Sequence, residues 1–209
     1  MTDVLLIIFT ISLLYLGIAN RLLTYIRIFA FQGLLLFGVS YIELTEINTL
    51  NLIFILFETI VFKTIAVPLF MSYVIKKNKI SRDTEPFLPN FISLIVLTVI
   101  IIVTFILSNA VTASHISKIY FVVALSALFA GLYLIISRRK IITHVMGFLV
   151  IENGVFILSL AVGNKMPMMV NIGILLDFFV SVLVLGIFLN RLGDVFAEPD
   201  VNKLSQLRD

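Results

Sequence analysis

Between Asn90 and Val111 the chain runs FISLIVLTVIIIVTFILSNA without a single charge. A helix of about 20 such residues crosses the roughly 30 Å hydrocarbon core of a bilayer. In lipid, each backbone N–H and C=O must find its partner inside the chain, so a run of this length reads as a transmembrane helix. Comparable runs recur near 3–20, 24–42, 50–75, 118–137, 141–163 and 168–190. With 91–112 they predict an all-α integral membrane protein of seven transmembrane helices. Composition agrees: 61% of the 209 residues are hydrophobic and 13% are charged. The third run contains Pro68, where a kink or tilt is expected. The first opens on Asp3 with no Lys or Arg before the apolar stretch, so it reads as a retained span rather than a cleaved signal.

The basic residues set an orientation. Arg21 and Arg27 follow the first run, and Lys76, Lys77, Lys79 and Arg82 follow the third. Arg138, Arg139 and Lys140 follow the fifth, and Arg191, Lys203 and Arg208 the seventh. All of these fall on one side, whereas Lys118 and Lys165 fall on the other. By the positive-inside rule the N-terminus is external and the C-terminus cytoplasmic, in a multi-pass membrane protein. The expected divisions are a three-helix part at 1–80, a linking helix at 91–117, a three-helix module at 118–190 and a cytoplasmic tail at 191–209. The connector KKNKISRDTEPFLPN, with Pro86 and Pro89, separates the first of these from the rest.

Several chemistries are excluded. The chain has no cysteine, so it offers no thiolate for an iron–sulfur cluster and forms no disulfide. His115 and His144 stand far apart without metal-ligand spacing. There is no P-loop and no GxGxxG. No cofactor is expected, and the net charge of +3 belongs to membrane topology rather than to nucleic acid.

What demands a use is the charge inside the spans. An ionised side chain at mid-bilayer costs about 2.5–3.5 kcal/mol even on the mildest scale. Glu152 lies in the sixth run and Asp177 in the seventh, 13 residues before and 12 after Lys165. Antiparallel helices rise equally, so both carboxylates are expected at nearly one depth. They read either as a proton-exchanging pair or as hydrogen-bonded acids that lock helix packing. The third run carries Glu58 and Lys63, five residues apart and so about 140° around an α-helix. Lys63 reads as a relay element, since a buried lysine loses its proton readily, or as the counter-charge of a carboxylate on a neighbouring helix. His144, at the start of the sixth run, suits either proton uptake or an interfacial anchor. Asn153 and Gly154 beside Glu152 permit a hydrogen bond and close helix approach. Arg27, a turn inside the second run, is expected to snorkel to the surface.

From the fifth run onward the chain resembles the K-type subunit of respiratory complex I and its relatives in multisubunit cation/proton antiporters. That family has three spans, an external N-terminus, a basic run after the first span and an acid in each of the next two. The matching elements here are 118–137, Arg138–Arg139, Glu152 and Asp177. In K-type subunits the second-span acid follows a Gly–Leu pair closely. Here Gly147, Phe148 and Leu149 precede Glu152 by about one turn. The chain as a whole resembles hydrogenase-4 component E. FETIVFKTIAVP, IENGVFILSLAVGNKMPMMVNIGILLD and LGIFLNRL carry that likeness. The resemblance implies a membrane-arm subunit, in a prokaryotic inner cell membrane, of a complex I-like redox assembly of the group 4 hydrogenase or formate hydrogenlyase type. It would have no catalytic activity alone. Its expected partners are antiporter-like and other membrane subunits, redox subunits that carry the metal clusters, and the lipid bilayer. Glu152 and Asp177 would pass protons or ions, and Glu58, Lys63 and His144 would extend their path. The alternatives are a subunit of a cation/proton antiporter and a non-conducting scaffold between antiporter-like subunits.

Overall fold

A computed structural model describes residues 1–43, 53, 57–77, 87–110 and 117–161. Among these, all regular elements are helical. α1 spans Thr2–Ile18 and α2 Leu22–Glu43. α3 holds a π-helix over Glu58–Ala66, reached from the α-helical Phe57, and continues as an α-helix over Val67–Lys77. α4 spans Asn90–Ala110, α5 Lys118–Ser137 and α6 Ile141–Ala161. Five of these stretches are long and apolar enough to cross a membrane: Leu22–Ile42, Thr59–Lys76, Asn90–Ala110, Lys118–Ser137 and Ile141–Ala161. Thr2–Ile18 is a shorter apolar helix. The protein is therefore an all-helical membrane protein. The seventh expected span, 168–190, lies outside the described residues.

Helix ends follow local chemistry. α1 stops at Ala19, whose backbone is extended, and its N–H still donates to Tyr15 O at 3.1 Å. α2 restarts at once, with Thr24 and Tyr25 N–H donating to Arg21 O. The α5–α6 turn is equally short. Arg138 is extended, and Thr143 N–H donates to Lys140 O at 2.9 Å in the first turn of α6. At the opposite end of that hairpin Ser117 N–H donates to Ala161 O at 3.1 Å, so α5 and α6 run antiparallel over their whole length.

Small residues allow that pairing. A Cβ on Gly131 would meet Gly147 O at 2.6 Å, and one on Gly154 would meet Leu128 N at 2.9 Å. Ala124 and Ala127, fully buried, continue the same seam. In lipid no hydrophobic force drives helices together, so contact depends on close backbone approach and on polar links. α2 meets both α3 and α6, while α1 meets α2, α4 and α5.

The kink expected at Pro68 takes another form. The π-helix ends at Ala66, and α3 then continues as an α-helix through Pro68. In the π segment the Thr64 hydroxyl donates to Thr59 O, five residues back, at 2.9 Å. Such insertions recur at functional positions in helices. They also change the angular relation of positions five apart, so the offset of about 140° between Glu58 and Lys63, which assumed an α-helix, does not hold here.

The basic turn after α5 also departs from a simple surface marker. Arg138 and Lys140 are only 1% and 2% exposed. Arg138 Nη2 donates to Gly17 O at 2.7 Å, and its guanidinium lies 5.8 Å from the centre of the Tyr25 ring. Arg139 lies 4.8 Å over the Phe87 ring, and Phe87 N–H donates to Ser137 O at 2.9 Å. These contacts tie the α5–α6 turn to the facing ends of α1 and α2 and to the segment that leads into α4.

Candidate functional site

α6 carries Glu152 near its middle, with Asn153 beside it and Phe156 one turn on. The π segment of α3 presents Lys63 to all three. Lys63 Nζ lies 2.9 Å from Glu152 Oε1, 3.5 Å from Asn153 Oδ1 and 4.7 Å from the centre of the Phe156 ring. The lysine is 1% exposed and the glutamate 7%. The close Nζ–Oε1 approach lacks hydrogen-bond alignment, and neither oxygen of Glu152 has a hydrogen-bond partner among the described residues. The pair is thus held by charge and by enclosure. Burying two ions is expensive, and removing one partner of such a pair costs more than the pair itself contributes.

The approach of α2 explains why the π segment stands where it does. A Cβ on Gly33 would meet Thr64 Oγ1 at 2.8 Å and the Lys63 carbonyl carbon at 3.0 Å. Only a residue without a side chain fits there, and it sets Gln32 beside the pair. Asn153 Nδ2 donates to Gln32 Oε1 at 3.3 Å, and Gln32 Nε2 donates to Ser12 Oγ at 2.9 Å. Ser12 donates in turn to Phe9 O at 2.6 Å. A single polar chain therefore crosses the bundle from α1 through α2 and α6 to α3. Its direction is consistent throughout: each group accepts from one neighbour and donates to the next. The end that faces Lys63 is a carbonyl oxygen, which suits an ammonium.

Of the residues expected from the sequence to form a pathway, the structure brings Lys63 and Glu152 together. Asp177 lies outside the described residues, as does the side chain of Glu58. His144 is half-buried, with Nε2 2.8 Å from Arg138 O. It sits eight residues before Glu152, about 12 Å along the helix axis, and belongs to the basic turn. His115 is also outside the described residues. Gln32 and Ser12 were not singled out by the sequence reading. The signal for Gln32 was present: an amide in an otherwise apolar run needs a partner in lipid. Ser12 gave none, since a serine can satisfy its hydroxyl on its own helix.

The architecture defines a class, a helical membrane protein with a buried ion pair at its centre. Sequence comparison points to a more particular neighbourhood. The chain is 23% identical over 189 residues to an uncharacterised protein of Mycobacterium tuberculosis, a match that covers 88% of this chain and 85% of that one. It is 30% identical over 86 residues to hydrogenase-4 component E of Escherichia coli and of Shigella flexneri. That match covers 41% of this chain and 40% of component E, so it links the two in part of their lengths only. No family profile matches the chain, and no solved structure does.

Proposed function

We propose that this protein is a membrane subunit of a complex I-like redox assembly, of the group 4 hydrogenase or formate hydrogenlyase type, that helps to move protons or ions across the membrane. The observation that carries this reading is the Lys63–Glu152 pair, enclosed at mid-helix with a carboxylate oxygen that has no hydrogen-bond partner among the described residues. An oxygen of that kind can accept a proton from a water or a neighbouring acid, and the Lys63 ammonium favours its release again by stabilising the carboxylate left behind. The partial likeness to hydrogenase-4 component E supports the assembly type. In such an assembly the metal clusters sit in other subunits, and this chain, which has no cysteine, supplies membrane carboxylates. Asp177, Glu58 and His144 are the residues we assign to the rest of the path.

A scaffold reading has its own support. The Ser12–Gln32–Asn153–Lys63 chain joins four helices and would serve equally to hold larger membrane subunits apart. An experiment on the assembled complex separates the two. In membrane vesicles, Asp177→Asn should assemble normally, Glu152→Gln, which leaves Lys63 without its counter-charge, should assemble less stably, and both should abolish redox-driven proton uptake per assembled complex. Normal uptake in both variants would leave only the scaffold. A nickel–iron large subunit co-purifying with the chain would favour the hydrogenase type over a cation/proton antiporter.

A further inference from the structure

α1 and α2 enclose a groove of about 430 Å³ on the flank of the bundle. Its lining is graded in polarity. Tyr15, Thr24 and Arg27 lie toward the α1–α2 connector, while Ile11, Ile28 and Phe31 include its deeper wall. Arg27 is five residues past Leu22, about 7.5 Å from the start of α2, and Phe31 is about 6 Å deeper still. Arg27 is exposed, and no carboxylate pairs with it among the described residues. Ser12 also lines the groove, and Ser12 is the outer end of the polar chain that leads to Lys63 and Glu152.

A cation near the membrane surface, hydroxyls beside it and an aliphatic and aromatic wall beneath match the order of groups in an anionic phospholipid. We propose that this groove seats one such lipid, its phosphate on Arg27, Thr24 and Tyr15 and an acyl chain along Ile11, Ile28 and Phe31. A water-filled inlet fits less well, because the deeper wall is apolar and a fixed positive charge at the mouth repels incoming cations. Ser12 is already buried by the protein, and the seated chain adds a second cover over this outer end of the polar network. The lipid seat does not depend on the proton-translocation reading; only the value of that cover does.

The test uses the full-length protein in nanodiscs, with phosphatidylglycerol and phosphatidylcholine as the probes. Native mass spectrometry should show phosphatidylglycerol retained in preference to phosphatidylcholine. Arg27→Gln should lower retention of phosphatidylglycerol about fivefold, the effect of removing one basic residue near an anionic headgroup. Arg27→Lys should restore most of it, which separates loss of charge from loss of fold. Because the chain has no native cysteine, Ile11→Cys reports directly on the groove. It should resist a water-soluble thiol reagent in phosphatidylglycerol nanodiscs. Equal retention of the two lipids by the wild type would overturn the proposal. So would free reaction of Ile11→Cys in phosphatidylglycerol, the mark of a hydrated groove, or its disulfide-linked dimer, the mark of a second copy. None of these measurements reads proton movement, so they fail or succeed apart from the proposed function.

Discussion

α4 and α6 are both 21 residues long, and both are apolar enough to span a membrane. α4 is the more apolar, yet only 22% of its span is buried in the protein, against 72% for α6. Its buried positions include Ser93, Thr104 and Ser108. Thr104 Oγ1 lies 2.7 Å from Ser126 Oγ on α5, and Ser93 Oγ accepts from Tyr133 at 2.8 Å. Its isoleucines, valines and Phe105 mostly face outward. α6 buries glycine, asparagine and glutamate together with its aliphatic residues. In water the most apolar element would form the core. In a bilayer lipid solvates apolar side chains as well as protein does, so the interior goes to small residues that pack closely and polar residues that need partners.

Substitutions at the two kinds of position should separate that comparison, beginning with the largest effect. Lys63→Met leaves Glu152 buried without its cation and should destabilise the bundle by about 3–5 kcal/mol, measured by denaturant titration in detergent. Adding Glu152→Leu should recover much of that loss, because the uncompensated charge then goes too. A double mutant no more stable than Lys63→Met would show that the pair is not the main term.

The same residue type should be rejected on the other helix. Ile102→Lys places a cation on the outward face of α4, near its middle, where it has no buried partner to meet. It should cost roughly 2.5–3.5 kcal/mol on an insertion scale, read as the fraction of α4 integrated in a translocation assay. Full integration would break the contrast between a lipid-facing α4 and an interior α6.

Gly147→Ala tests the α5–α6 seam. Its Cβ would sit 2.8 Å from Gly131 O and 2.7 Å from Ile135 Cγ1, and backbone cannot give way cheaply. The expected loss is about 1–3 kcal/mol, with the midpoint of unfolding as the readout. Ile106→Leu, on the outward face of α4, should change stability by less than about 0.5 kcal/mol. A larger effect would place Ile106 in a packed contact rather than against lipid.

The six described helices were largely legible in the run lengths, because the bilayer sets one length for every span. The expected runs near 3–20, 24–42, 91–112, 118–137 and 141–163 match α1, α2, α4, α5 and α6 to within a few residues. The π segment was not legible. No residue type marks it, although the close approach of α2 at Gly33 lies against it. The burial of Arg138 and Lys140 escaped the sequence for a related reason. A basic run between two spans looks like a surface marker until Gly17 O and the Tyr25 ring are seen to receive the guanidinium.

Sequence alone determined that the chain lives in a membrane as a set of helices, and that Lys63 and Glu152 were charges in need of an explanation. Hydrophobic length and the cost of buried charge are local quantities, readable one segment at a time. Only the tertiary structure decided that these two charges meet each other. Residues 63 and 152 lie on different helices, and no spacing along the chain encodes helix rotation or neighbour choice. The same holds for Gln32 and Ser12, whose part in the site exists only because α1, α2 and α6 bring their polar groups into line with Lys63.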